Sequence, residues 1–453
     1  MDEEIKLSEN MMGTMSENKL LLTISVPMMI SMLIQALYNV VDSYFVSKIS
    51  ENALNAVALA FPLQNLMIGV SVGTGVGINS LLSRRLGQKN QKAVNDAAMN
   101  GIFLAVLSSL VFVAFGVFFS RMYFESQTKV SEIVEGGTAY LSICTIASFG
   151  IFAEITFSRL LQSTGRTMYS MIGQLVGAGT NIILDPIMIF GYLGFPAMGV
   201  AGAAVATVAG QILGASVDLF FNLKKNNEIQ FKFKGFRPDL QVIRQIYAVG
   251  FPAILNTSIV SFMTFGMNRI LLGFSTAATA VMGVYFKLQS FIYMPVFGLN
   301  NALVPIVAYN YGARKPDRIR KTMLIALMYA SGIMLIGILI FQLMPHQILS
   351  LFIEKPETFK IGIAALKTIS TGFIFSGIIL IISAVFQALG HGVYALVVQI
   401  IRQLAAVLPL AYLFSLSGDV NMVWWAFPVA EIISALICLA IYRFVVKRQL
   451  LML

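Results

Sequence analysis

The chain has 453 residues, of which 57% are hydrophobic and only 11% are charged. Soluble domains carry about 25% charged residues, so this composition excludes a soluble globular protein and indicates that lipid surrounds most of the fold. The formal net charge of +10 does not point to nucleic acid, because the basic residues form short clusters between long apolar runs.

The long apolar runs predict helices. In hydrocarbon only helices and closed barrels satisfy their own backbone hydrogen bonds. A barrel needs short segments of alternating polarity. Runs such as 101–119 and 324–343 instead approach the roughly 20 residues that cross a bilayer as a helix. The sequence therefore predicts an all-α integral membrane protein.

Hydropathy and helix breakers divide the chain into twelve predicted transmembrane helices, six in each half. In chain order they are 20–47, 54–82, 94–119, 137–158, 168–192, 197–222, 243–272, 277–308, 320–344, 360–388, 393–416 and 420–446. The predicted organisation is a cytoplasmic tail 1–18, a six-helix bundle 19–222, a cytoplasmic linker 223–241 and a second six-helix bundle 242–453.

Lys and Arg residues crowd into every second connection between these spans. Examples are Arg84 and Arg85 after the second span, and Lys224 and Lys225 after the sixth. The positive-inside rule assigns these connections to the cytoplasm. We therefore expect a multi-pass protein of the cell membrane with both termini in the cytoplasm.

The two halves resemble each other. Sliding the chain along itself by 225 residues superposes uncommon residues without a gap: Pro27 on Pro252, Gln64 on Gln289, Gly73 on Gly298, Gly87 on Gly312, Gln162 on Gln387, Gly165 on Gly390, Tyr169 on Tyr394 and Gln174 on Gln399. Because each half has an even number of spans, both enter the membrane in the same direction. Parallel repeats of this kind are typical of transporters that open a cleft to alternate sides.

Acidic residues inside the spans are the first functional candidates, because a charge in hydrocarbon costs several kcal/mol unless it is paired or faces water. Asp42 and Asp185 fall at similar depth in spans one and five, which run in the same direction. Asn181 precedes Asp185 by four residues and Asn39 precedes Asp42 by three, so each amide shares a helix face with its acid. We expect one site here, provided that spans one and five face each other.

Such a site is predicted to bind a coupling ion. Two neighbouring carboxylates in low-dielectric surroundings cannot easily both be charged, so the site would take a proton or, through its oxygens, Na⁺. A sodium ion would be held by Asp42, Asn181 and Asp185. The structural alternative is that each Asp caps a kinked helix, and the sequence Asp185-Pro186 does predict a helix break. The functional interpretation is favoured.

Further polar residues within or beside the spans are candidates for a substrate cavity. They are Glu154, Gln162, Lys287, Glu431 and Arg402. Glu154 is also interpreted as a partner of Arg159 or of a helix terminus. Glu431 and Lys287 both fall near mid-membrane and predict either an ion pair or substrate contacts.

The remaining charged residues favour structural interpretations. Arg402 and Arg269 are typical of buried pairs or of side chains that reach the interface. Asp218 falls so near the cytoplasmic end of its span that water is expected to reach it. No feature indicates an enzyme, and a Gly-Lys-Ser/Thr phosphate loop is missing from the sequence. Energy would come from an ion gradient, with no cofactor beyond H⁺ or Na⁺.

Several motifs carry a family resemblance. They are Tyr38-Asn39-Val40-Val41-Asp42, Arg84-Arg85-Leu86-Gly87, Gln162-Ser163-Thr164-Gly165, Asn181-Ile182-Ile183-Leu184-Asp185-Pro186, Pro305-Ile306-Val307-Ala308-Tyr309-Asn310-Tyr311-Gly312 and Gln387-Ala388-Leu389-Gly390. At these residues the sequence resembles the multidrug and toxic compound extrusion (MATE) family, and it is most similar to the bacterial MepA-like branch. The resemblance covers essentially the whole chain.

The resemblance implies twelve helices in two pseudo-symmetric bundles, arranged as a V. It also implies export of mostly cationic organic compounds in exchange for H⁺ or Na⁺. Carried over residue by residue, it implies that Asp42, Asn181 and Asp185 form the cation site of the N-terminal lobe, joined by Thr207 of span six. The expected partners are small organic substrates, the coupling cation and membrane lipids, and we expect a monomer.

Two other functions compete with this interpretation. A flippase of lipid-linked sugars or other amphipathic substrates has anionic cargo, so its cavity would be lined by several Lys and Arg. A structural or receptor membrane protein would have little reason to keep acids in lipid at a cost of several kcal/mol each.

Overall fold

The computed structural model describes residues 10–353 and 355–452. In this part of the chain, ten helices are long and apolar enough to cross a membrane, and two bent helix pairs bring the number of spans to twelve. The all-α, twelve-span membrane fold predicted from the sequence is thereby confirmed. Residues 1–9 of the predicted tail lie outside the described residues, whereas Met11–Thr14 form a short helix.

The first half of the chain contributes six spans. They are α1 (Glu17–Ser47), α2 (Glu51–Gly87), α3 (Gln91–Phe118), α4 (Ser131–Ile146 followed by Phe149–Ser163), α5 (Thr167–Phe190) and α6 (Val200–Lys225). The two segments of α4 meet at an angle of 44°. A short helix, Ser120–Gln127, lies between α3 and α4, and a 3₁₀ turn, Tyr192–Gly194, lies between α5 and α6.

The second half repeats this order. Its spans are α7 (Leu240–Leu272), α8 (Thr276–Gly312), α9 (Pro316–Leu343), α10 (Pro356–Ser370 followed by Phe373–Ala388), α11 (Gly392–Ser415) and α12 (Val420–Leu451). The two segments of α10 meet at 48°. A short helix, Pro345–Leu349, follows α9. Helices α11 and α12 contain the π-helical turns Ile401–Ala406 and Tyr442–Val446.

The repeat extends to local backbone geometry. Ser50 begins α2 by accepting a hydrogen bond from the Ala53 backbone amide at 3.0 Å, and Ser275 begins α8 in the same way. Gly165 ends α4 with a φ of 84°, and Gly390 ends α10 with a φ of 88°. Only glycine adopts such values without strain. Equivalent residues therefore have the same structural role in the two halves.

Contacts divide the chain into two compact units. Unit 1 contains Ile30–Ile254 and, of the N-terminal tail, the described residues 10–14. Unit 2 contains Met15–Met29 and the described part of 255–453. Each unit therefore includes the first part of a long helix, α1 or α7, whose remainder belongs to the other unit. The predicted bundles 19–222 and 242–453 differ from these units in those two half-helices.

Helix α5 continues through Pro186 and ends at Phe190, so the helix break predicted at Asp185-Pro186 is wrong. A proline inside a helix removes one backbone hydrogen bond and crowds the preceding turn. In a membrane protein the neighbouring helices make this defect tolerable. Pro27, Pro62 and Pro252 likewise lie inside continuous helices.

Candidate functional site

The candidate site in unit 1 is built where α5 and α6 approach each other closely. A Cβ atom added at Gly210 would lie 2.6 Å from the Gly177 carbonyl oxygen, so only glycine allows this approach. One turn further along α5, the Asn181 amide donates hydrogen bonds to Asp185 Oδ1 and to Thr207 Oγ1, each at 3.3 Å. Asp185 is completely buried. Asn181, Asp185 and Thr207 thus form one hydrogen-bonded cluster.

Asp42 of α1 lies near this cluster without a hydrogen bond to it in the described chain. Its carboxyl group lies within electrostatic range of Asp185. Three buried oxygens here have no hydrogen-bond partner: Asp42 Oδ1, Asp185 Oδ2 and Asn181 Oδ1. Within the described chain, neither carboxyl group forms an ion pair with Lys or Arg. Oxygens of this kind suit a proton or a small hard cation such as Na⁺.

Tyr38 is a member of the site that sequence reasoning missed. It lies within electrostatic range of Asp42, Asp185 and Glu154. Tyr38 precedes Asp42 by four residues and so lies about 40° from it around the helix, whereas Asn39 lies about 60° away on the other side. Asn39 is exposed, and in the described chain the Ser43 hydroxyl donates to its backbone oxygen, whereas its side chain has no hydrogen-bond partner. The structure does not bring the Asn39 side chain into the cluster.

A second group of polar residues lies on α2 and α4, and two of its members are within electrostatic range of Asp42. The Gln64 amide lies 3.1 Å from the Tyr140 hydroxyl and 3.7 Å from the Cys144 sulfur. Both Tyr140 and Cys144 are buried and lie within electrostatic range of Asp42. Sequence reasoning singled out Gln64 only as a repeated residue and left Tyr140 unmentioned. The approach of Tyr140 to Asp42 follows from tertiary packing.

Gln162 belongs to a polar network near the end of α4. It accepts a hydrogen bond from Arg159 Nη1 at 3.0 Å and donates to the hydroxyls of Ser158 and Ser170. Glu154 forms no ion pair in the described part of the chain, so its predicted pairing with Arg159 is wrong. The physical reason is that Gln162, one turn further along α4 from Arg159, accepts from the Arg159 guanidinium in place of Glu154.

Asp218 is buried, with 1% of its surface exposed, so the expectation that water reaches it is wrong. Helix α6 extends to Lys225, and the buried side chains of Asn222 and Asn226 cover the turn that follows Asp218. Asn222 donates to the Asp218 and Phe157 backbone carbonyls, each at 2.9 Å. The sequence placed the end of this span at residue 222, which made Asp218 seem closer to water.

Unit 2 contains a buried ion pair between α11 and α12. Arg402 Nη2 lies 2.6 Å from Glu431 Oε1, and the two side chains are 6% and 12% exposed. The predicted pairing of Glu431 with Lys287 is therefore wrong, since Lys287 is exposed on α8. Arg402 lies in a π-helical turn. Such turns change which residues of a helix face its neighbours and often occur at functional sites.

The pair lines a small cavity of about 30 Å³ together with Tyr285, Tyr293 and Gln289. This volume is enough for a water molecule. The structure thus joins Arg402 and Glu431, two of the predicted cavity residues, but leaves Lys287 outside. Arg269 is exposed on α7 and takes no part in the buried pair.

A twelve-span helical fold in two repeated halves, with unpaired buried acids in the first, is the architecture of a membrane transporter. The chain belongs to the MatE family, which matches residues 27–187 and 252–413. These two stretches correspond to the two halves of the repeat.

Relatives of known name agree with this assignment. The multidrug export protein MepA of Staphylococcus aureus (strain MSSA476) is 25% identical over 424 residues, which make up 93% of each chain. MepA of Staphylococcus saprophyticus is 26% identical over 422 residues, covering 92% of this chain and 91% of that one. The chain is similar to both over nearly their whole length.

Solved structures show the same fold. An outward-facing multidrug resistance MATE family transporter has a TM-score of 0.91 at 24% identity, with 98% of this chain and 99% of that chain covered. A transporter of the MOP superfamily from Pyrococcus furiosus has a TM-score of 0.87 at 24% identity, with 97% and 98% covered.

Proposed function

We propose that this protein is a secondary active multidrug exporter, which moves organic and mostly cationic compounds out of the cell by antiport with H⁺ or Na⁺. The observation that carries the proposal is the hydrogen-bonded cluster of Asp185, Asn181 and Thr207 with Asp42 within electrostatic range, in which Asp185 is completely buried. Its carboxyl groups have no basic partner in the described chain, and three of its buried oxygens have no hydrogen-bond donor. Multidrug export is what the staphylococcal relatives are named for.

The cluster is suited to bind and release an ion. Burying an ionised carboxylate without a partner is very unfavourable, so a proton or a cation is required whenever the cluster is closed to water. A proton would bind a carboxyl oxygen of Asp42 or Asp185. A sodium ion would be held by Asp42, Asp185 and Asn181. In the described residues no three His, Cys, Asp or Glu side chains converge on a metal-sized space, so the amide oxygen would have to complete such a site.

Coupling requires that ion binding and substrate binding favour different conformations. Two parallel six-span repeats support alternating access, because such repeats can open the space between them to either side of the membrane. The basic clusters between the spans support cytoplasmic termini and insertion in the cell membrane. Transport out of the cell would then be driven by inward movement of the coupling ion.

Flipping of lipid-linked anionic substrates is the alternative. Such cargo needs unpaired positive charge in the transport cavity. The buried arginine of unit 2, Arg402, is already neutralised by Glu431. This pairing favours organic cations over anionic lipid-linked substrates.

The proposal is tested with the full-length protein in inverted vesicles. Ethidium uptake is measured under an imposed pH gradient and, separately, under an imposed sodium gradient. We expect Asp42→Asn and Asp185→Asn to abolish gradient-driven uptake, because an amide binds neither a proton nor a cation as a carboxylate does. Glu125→Gln, which alters an exposed acid, is the control and should transport normally. Full gradient-driven uptake by both aspartate variants would overturn the proposal.

A further inference from the structure

Two more carboxyl groups of unit 1 lie outside the candidate ion site, and of these Asp218 is buried and Glu154 is half-buried. Glu154 extends from α4 and Asp218 from α6, and the two lie within electrostatic range of each other. Neither has a basic partner in the part of the chain that the structure describes. Two such groups between packed helices of one unit are expensive to retain unless they bind something.

Glu154 occupies a gap between α5 and α6. A Cβ atom added at Gly177 on α5 would lie 3.3 Å from Glu154 Oε1, and one added at Gly214 on α6 would lie 2.9 Å from the same oxygen. Gly177 is one helical turn from Asn181, and Gly214 is one turn from Asp218. The Glu154 carboxyl group therefore lies between the candidate ion site and Asp218.

Asp218 points into the same gap. A side chain at Gly173 on α5 would collide with Asp218 Oδ1, and that oxygen is buried without a hydrogen-bond donor. The carboxyl group thus faces α5 and not solvent. An unpaired acceptor inside a helix bundle is the feature that a bound proton or cation would satisfy.

The acids, amide, hydroxyl and glycines of this region follow one another along α5 and α6 and form a continuous line. On α5 the order is Asp185, Asn181, Gly177 and Gly173, spaced by four residues, and on α6 it is Thr207, Gly210, Gly214 and Asp218. The 11 residues from Thr207 to Asp218 span about 16 Å. The line leads from the candidate ion site to the end of α6 that carries Lys224 and Lys225.

The line is a property of unit 1 alone. At the offset of 225 residues, the counterparts of Gly173, Gly177, Gly214 and Asp218 are Val398, Arg402, Leu439 and Arg443. Bulky side chains replace the glycines, and a base replaces the acid. The repeat by itself therefore does not explain why unit 1 keeps these glycines and acids.

We propose that Glu154 and Asp218 form an inner acidic site, which accepts the coupling cation from Asp42 and Asp185 and passes it towards the basic end of α6. The inference rests on the proposed function. With a proton as cargo, the O–H bond on Asp185 breaks, water in the gap relays the proton over the two helical turns that separate the groups, an O–H bond forms on Glu154, and negative charge returns to Asp185. The same exchange then takes place between Glu154 and Asp218. A sodium ion would move along the same oxygens without a bond to hydrogen.

Few other titratable groups face this inner acidic site. Tyr38 of α1 lies within electrostatic range of Glu154, and Glu154 is the charged neighbour of Asp218. Arg159 donates to Gln162 and packs against Gly75 of α2, and it forms no ion pair with Glu154 or Asp218 in the described chain. The occupancy of the site is therefore set by its two carboxyl groups and by the ion.

The first test does not depend on transport. Purified full-length protein carrying Asp42→Asn and Asp185→Asn is treated with a hydrophobic carbodiimide, which reacts with protonated carboxyl groups in apolar surroundings. Labelled residues are identified by mass spectrometry. We expect label on Glu154 or Asp218 that falls about tenfold when the pH is raised through the titration range. A comparable fall on adding sodium at constant pH would identify a sodium site, whereas loss on raising the pH alone would identify a proton site.

Exposed Glu125 is the internal control and should carry no label. Label on neither Glu154 nor Asp218, or label that neither pH nor sodium changes, would overturn the inner acidic site. This result is informative whether or not the protein exports drugs.

The second test measures flux. In proteoliposomes, Glu154→Gln and Asp218→Asn should each slow gradient-driven ethidium transport about tenfold or more, which corresponds to about 1.4 kcal/mol in the rate-limiting barrier. Equilibrium binding of ethidium to Asp218→Asn should stay within about twofold of the unaltered protein, because Asp218 is buried between α5 and α6 and is not a candidate residue of the substrate cavity. Transport at the unaltered rate by both variants would overturn the inference. If the unaltered protein itself ignores both gradients, the proposed function fails and the labelling decides the inner acidic site alone.

Discussion

At the scale of single residues, Thr207 Oγ1 accepts a hydrogen bond from the Asn181 amide nitrogen, at a distance of 3.3 Å. Replacing Thr207 by Val keeps the shape but removes this acceptor. A net contribution of about 1 kcal/mol per hydrogen bond predicts that Thr207→Val weakens apparent affinity for the coupling ion about fivefold. The measurement is ethidium transport as a function of pH or sodium concentration.

Thr180→Val provides the matched control. Thr180 lies on α5 one residue before Asn181, but it is half-exposed and donates to its own helix, at the Val176 carbonyl. The ion dependence of Thr180→Val should be normal. An unchanged ion dependence in Thr207→Val as well would mean that Thr207 does not position Asn181.

A second residue-scale prediction concerns Gly173. A methyl group there collides with Asp218 Oδ1, so Gly173→Ala should force the Asp218 carboxyl group to move. Overpacking of this kind costs about 1–3 kcal/mol. We expect a lower unfolding temperature in detergent and slower ion-driven transport. Gly179→Ala on the same helix, where the added carbon meets no atom within 4 Å, should change neither.

Sequence reasoning identified some residues of the candidate site and missed others for a physical reason. The cost of a charge in hydrocarbon belongs to the residue itself, so Asp42 and Asp185 stood out from depth alone. Asn181 followed from helix periodicity. The positions of Tyr38 and Asp218 depend on which helices pack together and on where a helix ends. Neither position can be predicted from the sequence of one helix alone.

At the scale of helices, the Arg402–Glu431 pair connects the π-helical turn of α11 to α12. Removing one partner of a buried pair leaves an uncompensated charge and costs about 3–5 kcal/mol. Glu431→Gln should therefore lower the unfolding temperature of the detergent-purified protein strongly. The exposed pair Arg121–Glu125 is a suitable reference, because such pairs contribute about 0–1 kcal/mol.

The paired variant separates charge from packing. Replacing both Arg402 and Glu431 by Met removes the charges together, and such replacements are often neutral or stabilising. We expect the double variant to recover most of the stability lost in Glu431→Gln. A Glu431→Gln protein as stable as Glu125→Gln would show that Arg402 finds another partner or reaches water.

Helix positions were predictable, whereas helix shape was not. Apolar runs and basic clusters predicted the number and positions of the twelve spans, because bilayer thickness sets helix length. The bends of 44° in α4 and 48° in α10 gave no signal, since glycine and alanine near each bend are common throughout the chain. The Pro186 break was predicted but not found, because helix interruption by proline depends on the neighbours that stabilise the freed carbonyl.

At the scale of the whole molecule, each unit is completed by half a helix from the other half of the chain. In unit 1, a Cβ atom added at Gly73 of α2 would lie 2.7 Å from the Ile254 backbone nitrogen of α7. In unit 2, one added at Gly298 of α8 would lie 2.7 Å from the Met29 nitrogen of α1. Both pairs follow the 225-residue offset. The repeat therefore includes the exchange of the half-helices.

This equivalence makes a quantitative prediction. Gly73→Ala and Gly298→Ala should each destabilise the protein by about 1–3 kcal/mol, because backbone atoms cannot move aside as a flexible side chain can. Gly283→Ala, on α8 in open space, is the control and should be close to neutral. Effects at distant sites add, so the double variant, assayed by thermal unfolding in detergent, should lose the sum of the two. Wild-type stability in either single variant would mean that the half-helix in that unit is not held at the glycine, and the two units would not be equivalent at these two helix contacts.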